Sequence, residues 1–234
     1  MSERGTALES RLHLVTSLIH LLNERGWDAT TVDELARVAG ISRATFFRVY
    51  GSKEDLVFAD HAVMLERLDA FLAETDHDVA SAMREGLMLV FRYHLEDKER
   101  TLARHRLLKQ SVQLRNRELL TSHRYERLFR RWLQTRLGDE GVHDSVAVGL
   151  AGAAVALHNS YLRRWLLNPS LEILEQFQNE AKKLIRVFLS GYNVDGIVTD
   201  RTGGPVAVVT ILGEISDTEE VCDAVRGALT VRSP

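Results

Sequence analysis

The sequence has little of what stabilises secreted or membrane-spanning proteins. Cys222 is its single cysteine, which excludes an internal disulfide framework and is typical of a reducing compartment. Its longest apolar runs, such as PVAVVTIL at residues 205–212, are far shorter than the ~18 residues that a membrane-spanning helix needs. The N-terminal stretch MSERGTALESR lacks the apolar segment of a secretory signal. We therefore expect a cytoplasmic protein without a membrane segment.

Proline and aromatic residues are also scarce. Three prolines and 7% aromatic residues in 234 positions argue against a turn-rich β protein, while 45% hydrophobic content can bury a sizeable core. Apolar residues recur at spacings of three and four, which predicts amphipathic helices and an all-α fold class. The predicted helices cover approximately residues 7–25, 32–38, 42–49, 52–72, 79–95, 100–111, 116–137, 145–167 and 171–189.

The composition changes near the C-terminus. After Gly191, the stretch GIVTDRTGGPVAVVTILGEI is rich in β-branched residues and glycine, which predicts a β-hairpin, and DTEEVCDAVRGAL predicts a short helix. A segment of about 40 residues is too small to build a stable core alone. We expect residues 193–234 to be an extension that docks on its own chain or on a partner copy.

One short segment contains no acidic residue. The formal net charge of the chain is −3, which argues against indiscriminate binding to nucleic acid. Between residues 37 and 53, however, the sequence has Arg37, Arg43, Arg48 and Lys53 without an Asp or Glu. The chain therefore carries a local basic patch.

The basic patch overlaps a pair of short predicted helices. Thr31 and Glu34 form a capping box for the first helix, Ala39-Gly40-Ile41 predicts a tight turn, and Ser42 caps the second helix. Two short helices with a cationic second member are typical of a helix-turn-helix, whose second helix enters the major groove. Many helical bundles contain such pairs, so ordinary packing is the alternative interpretation.

The residue types at the start of the second helix favour the DNA interpretation. Ser42, Arg43, Ala44 and Thr45 occupy the end of the helix that reaches base edges. Arg43 can donate two hydrogen bonds to guanine, and Ala44 or Thr45 can contact a thymine methyl group. Lys53, in the first turn of the following helix, suits a phosphate.

These residues resemble a known family. The stretch TTVDELARVAGISRATFFRVYGSKEDL, extended backwards through LNERGWDATTV, closely resembles the DNA-binding signature of the TetR family of transcriptional regulators. The resemblance implies that Thr31 and Lys53 touch phosphates, that Ser42 to Thr45 read bases, and that Phe46 and Tyr50 pack in the core. Phe47 and Val49 stand where members often have tyrosine or histidine, and Arg48 is the expected substitute for the polar groups missing there.

The resemblance also implies an architecture and a mechanism. It predicts a helix-turn-helix DNA-binding domain at residues 1–55 and a helical effector-binding and dimerisation domain at residues 56–192. It implies a homodimeric repressor that binds a palindromic operator in double-stranded DNA and is released by a small-molecule effector. The helices at 145–167 and 171–189 fall where the family forms its four-helix dimer interface, and the many Ala and Gly residues of the first would allow close approach.

An effector cavity can be predicted only from composition, because ligand pockets are largely apolar. The same large apolar residues could equally be filled core. The cation-rich segment from Lys98 to Arg136 is a candidate for binding an anionic ligand such as an acyl thioester, with solvated helix faces as the alternative. The predicted cavity residues are Phe91, Leu108, Phe129, Trp132, Tyr161 and Trp165.

Other functional classes receive little support. The nine histidines include no H-E-x-x-H motif and no Cys/His cluster with ligand spacing, so we expect no metal and no cofactor. There is no nucleophile with a base partner and no phosphate loop, which argues against an enzyme. The remaining alternative is a TetR-like DNA-binding protein that activates transcription or organises the chromosome without an effector.

Overall fold

The computed structural model describes residues 3–138 and 141–190, with side chains for residues 12–138 and 144–190. The described residues are helical and contain no strand, so the all-α prediction is confirmed for them. The predicted β-hairpin and short helix at 193–234 lie outside the described residues. The helices are α1 Glu3–Arg25, α2 Val32–Val38, α3 Arg43–Tyr50, α4 Lys53–Val57, α5 Ala59–Glu74, α6 Val79–Glu96, α7 Lys98–Gln110, α8 Val112–Leu137, α9 Gly141–Leu167 and α10 Leu171–Leu189.

Helices α1 to α4 build one hydrophobic core. The apolar face predicted for α1 is buried from Val15 onward, and it packs against Leu35 of α2, Phe46 of α3 and Leu56 of α4. Residues of α7 and α8, such as Leu107 and Leu114, belong to the same core. The N-terminal helices are therefore anchored on the helices that follow.

The turn between α2 and α3 has the predicted local structure. Thr31 and Glu34 form the capping box, in which the Glu34 carboxylate accepts from the Thr31 amide at 2.9 Å. Gly40 adopts a φ of +67°, and the amides of Gly40 and Ile41 donate to the last carbonyls of α2, which is a Schellman ending. Ser42 accepts from the Thr45 amide and caps α3.

The structure corrects the single helix predicted for residues 52–72. The chain breaks at Phe58, which has φ −115° and ψ 12°, and so divides into α4 and α5. In a continuous helix the Val57 carbonyl would accept from the His61 amide, but the buried Arg104 donates its Nε to that carbonyl at 2.9 Å. The His61 amide bonds to the Phe58 carbonyl instead. A side chain from α7 thus stabilises a break that no proline or glycine marks.

Helices α5, α6, α8, α9 and α10 enclose the larger core. Small residues of α9 serve packing within the chain: Ala147, Ala151 and Ala154 are fully buried, and Gly149 lies against the ring of Phe188. By length and composition alone, the apolar stretch Asp144–Leu167 could cross a membrane. The core helix of a soluble protein meets the same two criteria.

Candidate DNA interface and interior cavity

Helix α3 divides into a buried face and an exposed face. Phe46 and Tyr50 are buried in the N-terminal core, and their rings lie 5.1 Å apart. The opposite face is exposed and holds most of the residues predicted to contact DNA. These exposed residues are Ser42, Arg43, Ala44, Phe47 and Arg48, with Thr45 half-buried beside them.

The guanidinium of Arg43 is held in position on this exposed face. Its Nη1 donates to Asp33 Oδ2 of α2 at 2.7 Å, and its Cζ lies 5.3 Å from the centroid of the Phe47 ring. Both partners of the ion pair are more than half exposed, so the pair contributes little free energy and can be exchanged. Arg43 is therefore ordered by neighbours that a base edge can replace.

Replacing Asp33 by asparagine is expected to strengthen operator binding ~2–5-fold, because the change frees Arg43 and removes a carboxylate beside the DNA-facing surface. Titration of the protein against labelled operator DNA measures the change. Asp69→Asn is the matched control, because Asp69 forms a similarly exposed pair with Arg131 between α5 and α8. Equal effects of the two substitutions would contradict a special relation between Asp33 and Arg43.

Thr31 and Lys53, the predicted phosphate contacts, also have structural roles. Thr31 is exposed at the start of α2. Lys53 Nζ donates to the carbonyls of Trp27 at 2.6 Å and Thr30 at 3.0 Å, and it lies 4.0 Å from the centroid of the Trp27 ring. Partial burial lowers the pKa of Lys53 below its ordinary value. The ammonium group thus ties α4 to the end of the loop that follows α1.

Lys53→Ala is expected to lower the free energy of unfolding by ~1–3 kcal/mol, because two carbonyls lose their donor. If the remaining ammonium hydrogen reaches a phosphate, the slope of log affinity against log salt also becomes shallower by about 0.9 for each subunit bound. Denaturant melts and operator titrations at several salt concentrations measure the two effects, with Lys98→Ala at the exposed start of α7 as control. A normal melt would contradict the structural role.

The larger core contains a cavity of about 70 Å³ between α5, α6, α7, α8 and α9. Apolar atoms make up most of the surface that the wall exposes to the cavity, although polar side chains are well represented among the lining residues. The lining residues are Phe58, His61, Leu87, Val90, His94, Thr101, Arg104, His105, Leu108, Glu118, Thr121, Ser122, Tyr125, Phe129, Val155, His158, Asn159, Leu162 and Leu166.

The cavity includes two of the six residues predicted to form it, Leu108 and Phe129. The other four fill the core beside it. Phe91 stacks on Phe177 with ring centroids 4.4 Å apart, and Trp132 donates its Nε1 to the Leu72 carbonyl at 2.8 Å. Tyr161 and Trp165 are likewise buried in the larger core. These large rings serve packing because close neighbours occupy the space around them.

A buried network of charges adjoins the cavity through His61 and Arg104, which line it. Asp60 Oδ2 accepts from Arg104 Nη2 at 2.6 Å and from the Tyr93 hydroxyl at 3.0 Å, and Arg100 Nε lies 3.4 Å away. Burial alone would raise the pKa of Asp60, but the charge of Arg104, together with that of Arg100 and the hydrogen bond from Arg104, holds it below its ordinary value. Arg100 and Arg104, two cations of the segment 98–136, therefore form ion pairs with Asp60 inside the protein.

Three histidines beside this network are neutral. Burial lowers the pKa of His61 to about 3 and that of His158 to about 4, and it lowers the pKa of His94 well below its ordinary value. Within the described part of the chain, these histidines do not form a group that could hold a metal ion. They are therefore hydrogen-bonding groups at physiological pH.

Residues 15–59, which include α2, α3 and α4, match the profile of bacterial regulatory proteins of the tetR family. The chain belongs to the TetR family of transcriptional regulators. This TetR-family chain is 25% identical over 156 residues to the proposed mycofactocin biosynthesis transcriptional regulator MftR of Mycobacterium tuberculosis, covering 64% of this chain and 79% of MftR. It is 31% identical over 146 residues to the nucleoid occlusion factor SlmA of Haemophilus influenzae, covering 59% of this chain and 66% of SlmA.

Solved structures share the fold of this TetR-family protein. NalD, the secondary repressor of the MexAB-OprM multidrug efflux pump in Pseudomonas aeruginosa, superposes with a TM-score of 0.51 at 19% identity, covering 78% of this chain and 96% of NalD. A proposed transcriptional regulator from the same organism gives a TM-score of 0.54 at 15% identity, covering 78% of this chain and 91% of that protein. At these identities the likeness shows the fold alone.

The polar residues that line the cavity of this TetR-family chain were not predicted from its sequence. His61, His94, His158 and Tyr125 lie on four helices that come together only in the folded protein. One signal was present, because His94 follows Val90 and Phe91 by four and three positions on the apolar face of α6. A histidine at such spacing is buried and must find a hydrogen-bond partner.

Proposed function

We propose that this TetR-family regulator is a cytoplasmic homodimeric repressor that binds a palindromic operator and is released from it by a small molecule. The observation that carries the DNA-binding part is the exposed, acid-free face of α3, presented by a capped helix-turn-helix. Thr31, Ser42 to Thr45, Phe47, Arg48 and Lys53 are the proposed contacts. Arg43 has the geometry to read guanine, whereas Phe47 offers an apolar contact to thymine methyl groups.

Exposed apolar residues on α9 and α10 support the dimer. Val148 on α9, Leu171 and Val187 on α10, and Leu167 at the end of α9 are among the exposed large hydrophobic residues of the described chain. Near Gly152 a further Cβ would meet nothing within 4 Å, so the backbone of α9 is accessible there. A second copy packed on this surface would bury these side chains and fix the spacing of the two α3 helices for a two-fold operator.

Two arginines connect the cavity region with α4, and they support release by a ligand. Arg104 lines the cavity and donates to the last carbonyl of α4, that of Val57. Arg117 on α8 pairs with Asp55 in the middle of α4. A ligand that binds better when these ties are rearranged would shift the population towards a dimer with the wrong α3 spacing.

Arg117→Gln is expected to speed hydrogen exchange at the α4 amides ~2–5-fold, because a partly exposed ion pair contributes ~0.5–1 kcal/mol to holding α4 in place. Operator affinity should fall by a similar factor. Arg131→Gln, which breaks the exposed Arg131–Asp69 pair on the same helix, serves as control. Unchanged exchange in α4 would show that α8 does not restrain it.

Genome-wide mapping of bound sites, followed by deletion of the gene, tests the proposal. We expect a few sites with inverted repeats near promoters, and increased expression of the adjacent genes after deletion. Decreased expression would indicate an activator. Many dispersed sites would favour the second candidate function, chromosome organisation, for which the 31% identity to the nucleoid occlusion factor SlmA is the specific observation.

A further inference from the structure

Two of the four histidines that line the cavity, His94 and His158, carry a buried nitrogen without a partner among the described residues. The His94 ring lies between those of His61 and His158, with centroids 5.3 Å and 5.5 Å away. His94 Nδ1 and His158 Nε2 have no hydrogen-bond partner among the described residues, and both side chains are more than nine-tenths buried. Because leaving a buried polar atom unpaired is costly, the unpaired nitrogen of His158 points to a ligand that supplies its missing partner.

The hydrogen bonds around His158 determine what its free nitrogen needs. The Asn159 amide donates its Nδ2 to Ser122 Oγ at 3.1 Å, which places its Oδ1 3.3 Å from His158 Nδ1. An amide oxygen can only accept, so His158 Nδ1 carries the ring proton. Burial keeps the ring neutral at pH 7, since the pKa of His158 is about 4. Nε2 is therefore a bare acceptor that requires a donor.

Tyr125 offers the complementary group. Arg104 Nη1 lies 3.1 Å from His61 Nε2, and because arginine only donates, that nitrogen accepts and His61 Nδ1 carries the proton. His61 Nδ1 then donates to the Tyr125 hydroxyl oxygen at 3.0 Å. The hydroxyl hydrogen of Tyr125, a residue of the cavity wall, remains to be donated to a ligand.

The charges near the cavity argue for an uncharged ligand. Arg104 is committed to Asp60, the Val57 carbonyl and His61. Arg100 lies 3.4 Å from both Asp60 and Asp97. These two arginines and two aspartates balance, and an anion would find no uncompensated buried cation among them. The wall also contains Glu118, an acid whose pKa is raised by burial and which disfavours an anion further, and the apolar residues Leu87, Val90 and Phe129.

We infer that the cavity binds a small, uncharged, apolar molecule with a hydroxyl group, which donates to His158 Nε2 and accepts from the Tyr125 hydroxyl. A cavity of about 70 Å³ exceeds several-fold the ~10–15 Å³ that one water requires but is about half of the ~150 Å³ that holds benzene, so it takes the hydroxyl group and part of a ring. The wall residues His105, Glu118 and Leu166 are only half-buried, and the remainder of the ligand extends between them towards the surface. The inference rests on the proposed function, because it names the ligand class for the same cavity.

Two pairs of probes that differ in the hydroxyl group test the inference on the full chain without DNA. Phenol is compared with toluene, and cyclohexanol with methylcyclohexane, by NMR titration. At least one alcohol should bind about tenfold or more tightly than its methyl counterpart, because only the hydroxyl satisfies the two buried groups. Comparison of the two pairs shows whether the cavity prefers an aromatic or an aliphatic alcohol.

Variants locate the contact. Tyr125→Phe and His158→Phe keep a ring at each position, and each should reduce the alcohol-to-methyl preference severalfold without weakening the methyl compound. If neither variant folds, the ¹⁵N shift of His158 Nε2 in the unmodified protein, followed during the alcohol titration, reports the new hydrogen bond. Equal affinity within both pairs, binding of none of the four probes, or tighter binding of benzoate than of phenol would overturn the inference.

Two outcomes distinguish the ligand class of the cavity from ligand-controlled release of the operator. If an alcohol binds with the expected preference but leaves operator affinity unchanged, the ligand class stands and ligand-controlled release is wrong. If no alcohol is preferred while the protein still binds inverted repeats and represses adjacent genes, the ligand class is wrong and the DNA-binding function stands.

Discussion

Replacing Arg43 by alanine is expected to weaken operator binding by ~1–3 kcal/mol for each half-site and to relax the base preference at one position of each half-site. Arg43 lies at the first position of α3, exposed and without a buried partner, so the loss arises in the complex and the fold is retained. Selection of binding sequences from random DNA measures the base preference, and titration against the selected operator measures the affinity.

The control for Arg43 is another exposed arginine that lies outside the helix-turn-helix. Arg67 is on the exposed face of α5, and Arg67→Ala should leave both the selected sequence and the affinity unchanged. The salt dependence separates base from phosphate contact, because loss of a phosphate contact weakens all sequences alike. A uniformly weaker protein with the same selected sequence would reassign Arg43 to the DNA backbone.

The helix-turn-helix could be predicted closely because its determinants are local. Thr31 and Glu34 satisfy the free amides of α2, Ser42 satisfies those of α3, and Gly40 allows the positive φ between them. Each of these interactions joins residues a few positions apart, so the sequence pattern contains both partners. The ion pair of Arg43 with Asp33 is different, since it depends on the angle between two helices.

The cavity could not be predicted in the same way because its residues meet through tertiary packing. Large size and low polarity led to the selection of Trp132 and Trp165, but these properties do not distinguish a residue that fills a core from one that lines a void. The break at Phe58 depends on Arg104, 46 positions later in the chain, and no local signal marks it. Partners this distant are visible only in the fold.

The second large effect concerns the buried histidines and the stability of the protein in acid. The folded-state pKa values of His61 and His158, about 3 and about 4, lie below the ~6.5 of an unfolded histidine. The unfolded chain therefore binds protons more tightly, and the stabilisation is complete above pH ~6.5 and lost as the pH falls towards the folded-state values. Each histidine costs about 1.4 kcal/mol per pH unit in this window.

We therefore expect the free energy of unfolding to fall by about 3 kcal/mol per pH unit below pH ~6, from His61 and His158 together. Between pH 6.5 and pH 4.5 the loss amounts to about 5 kcal/mol, which is comparable to the lower end of the ~5–15 kcal/mol total stability of a folded protein. Asp60 does not contribute in this range, since its pKa is also lowered and its stabilisation is lost only below the ordinary range of a carboxyl group.

Denaturant melts between pH 7 and pH 4.5 measure this dependence, and His158→Phe should reduce its slope by about 1.4 kcal/mol per pH unit because one titrating group is removed. His13→Gln on the exposed side of α1 is the matched histidine control. NMR titration of the imidazole signals gives an independent reading. An unchanged slope in His158→Phe, or imidazole signals of His61 and His158 that titrate near pH 6.5, would show that these rings are not held neutral by burial. The hydrogen-bond roles inferred for the cavity would then have to be reassigned.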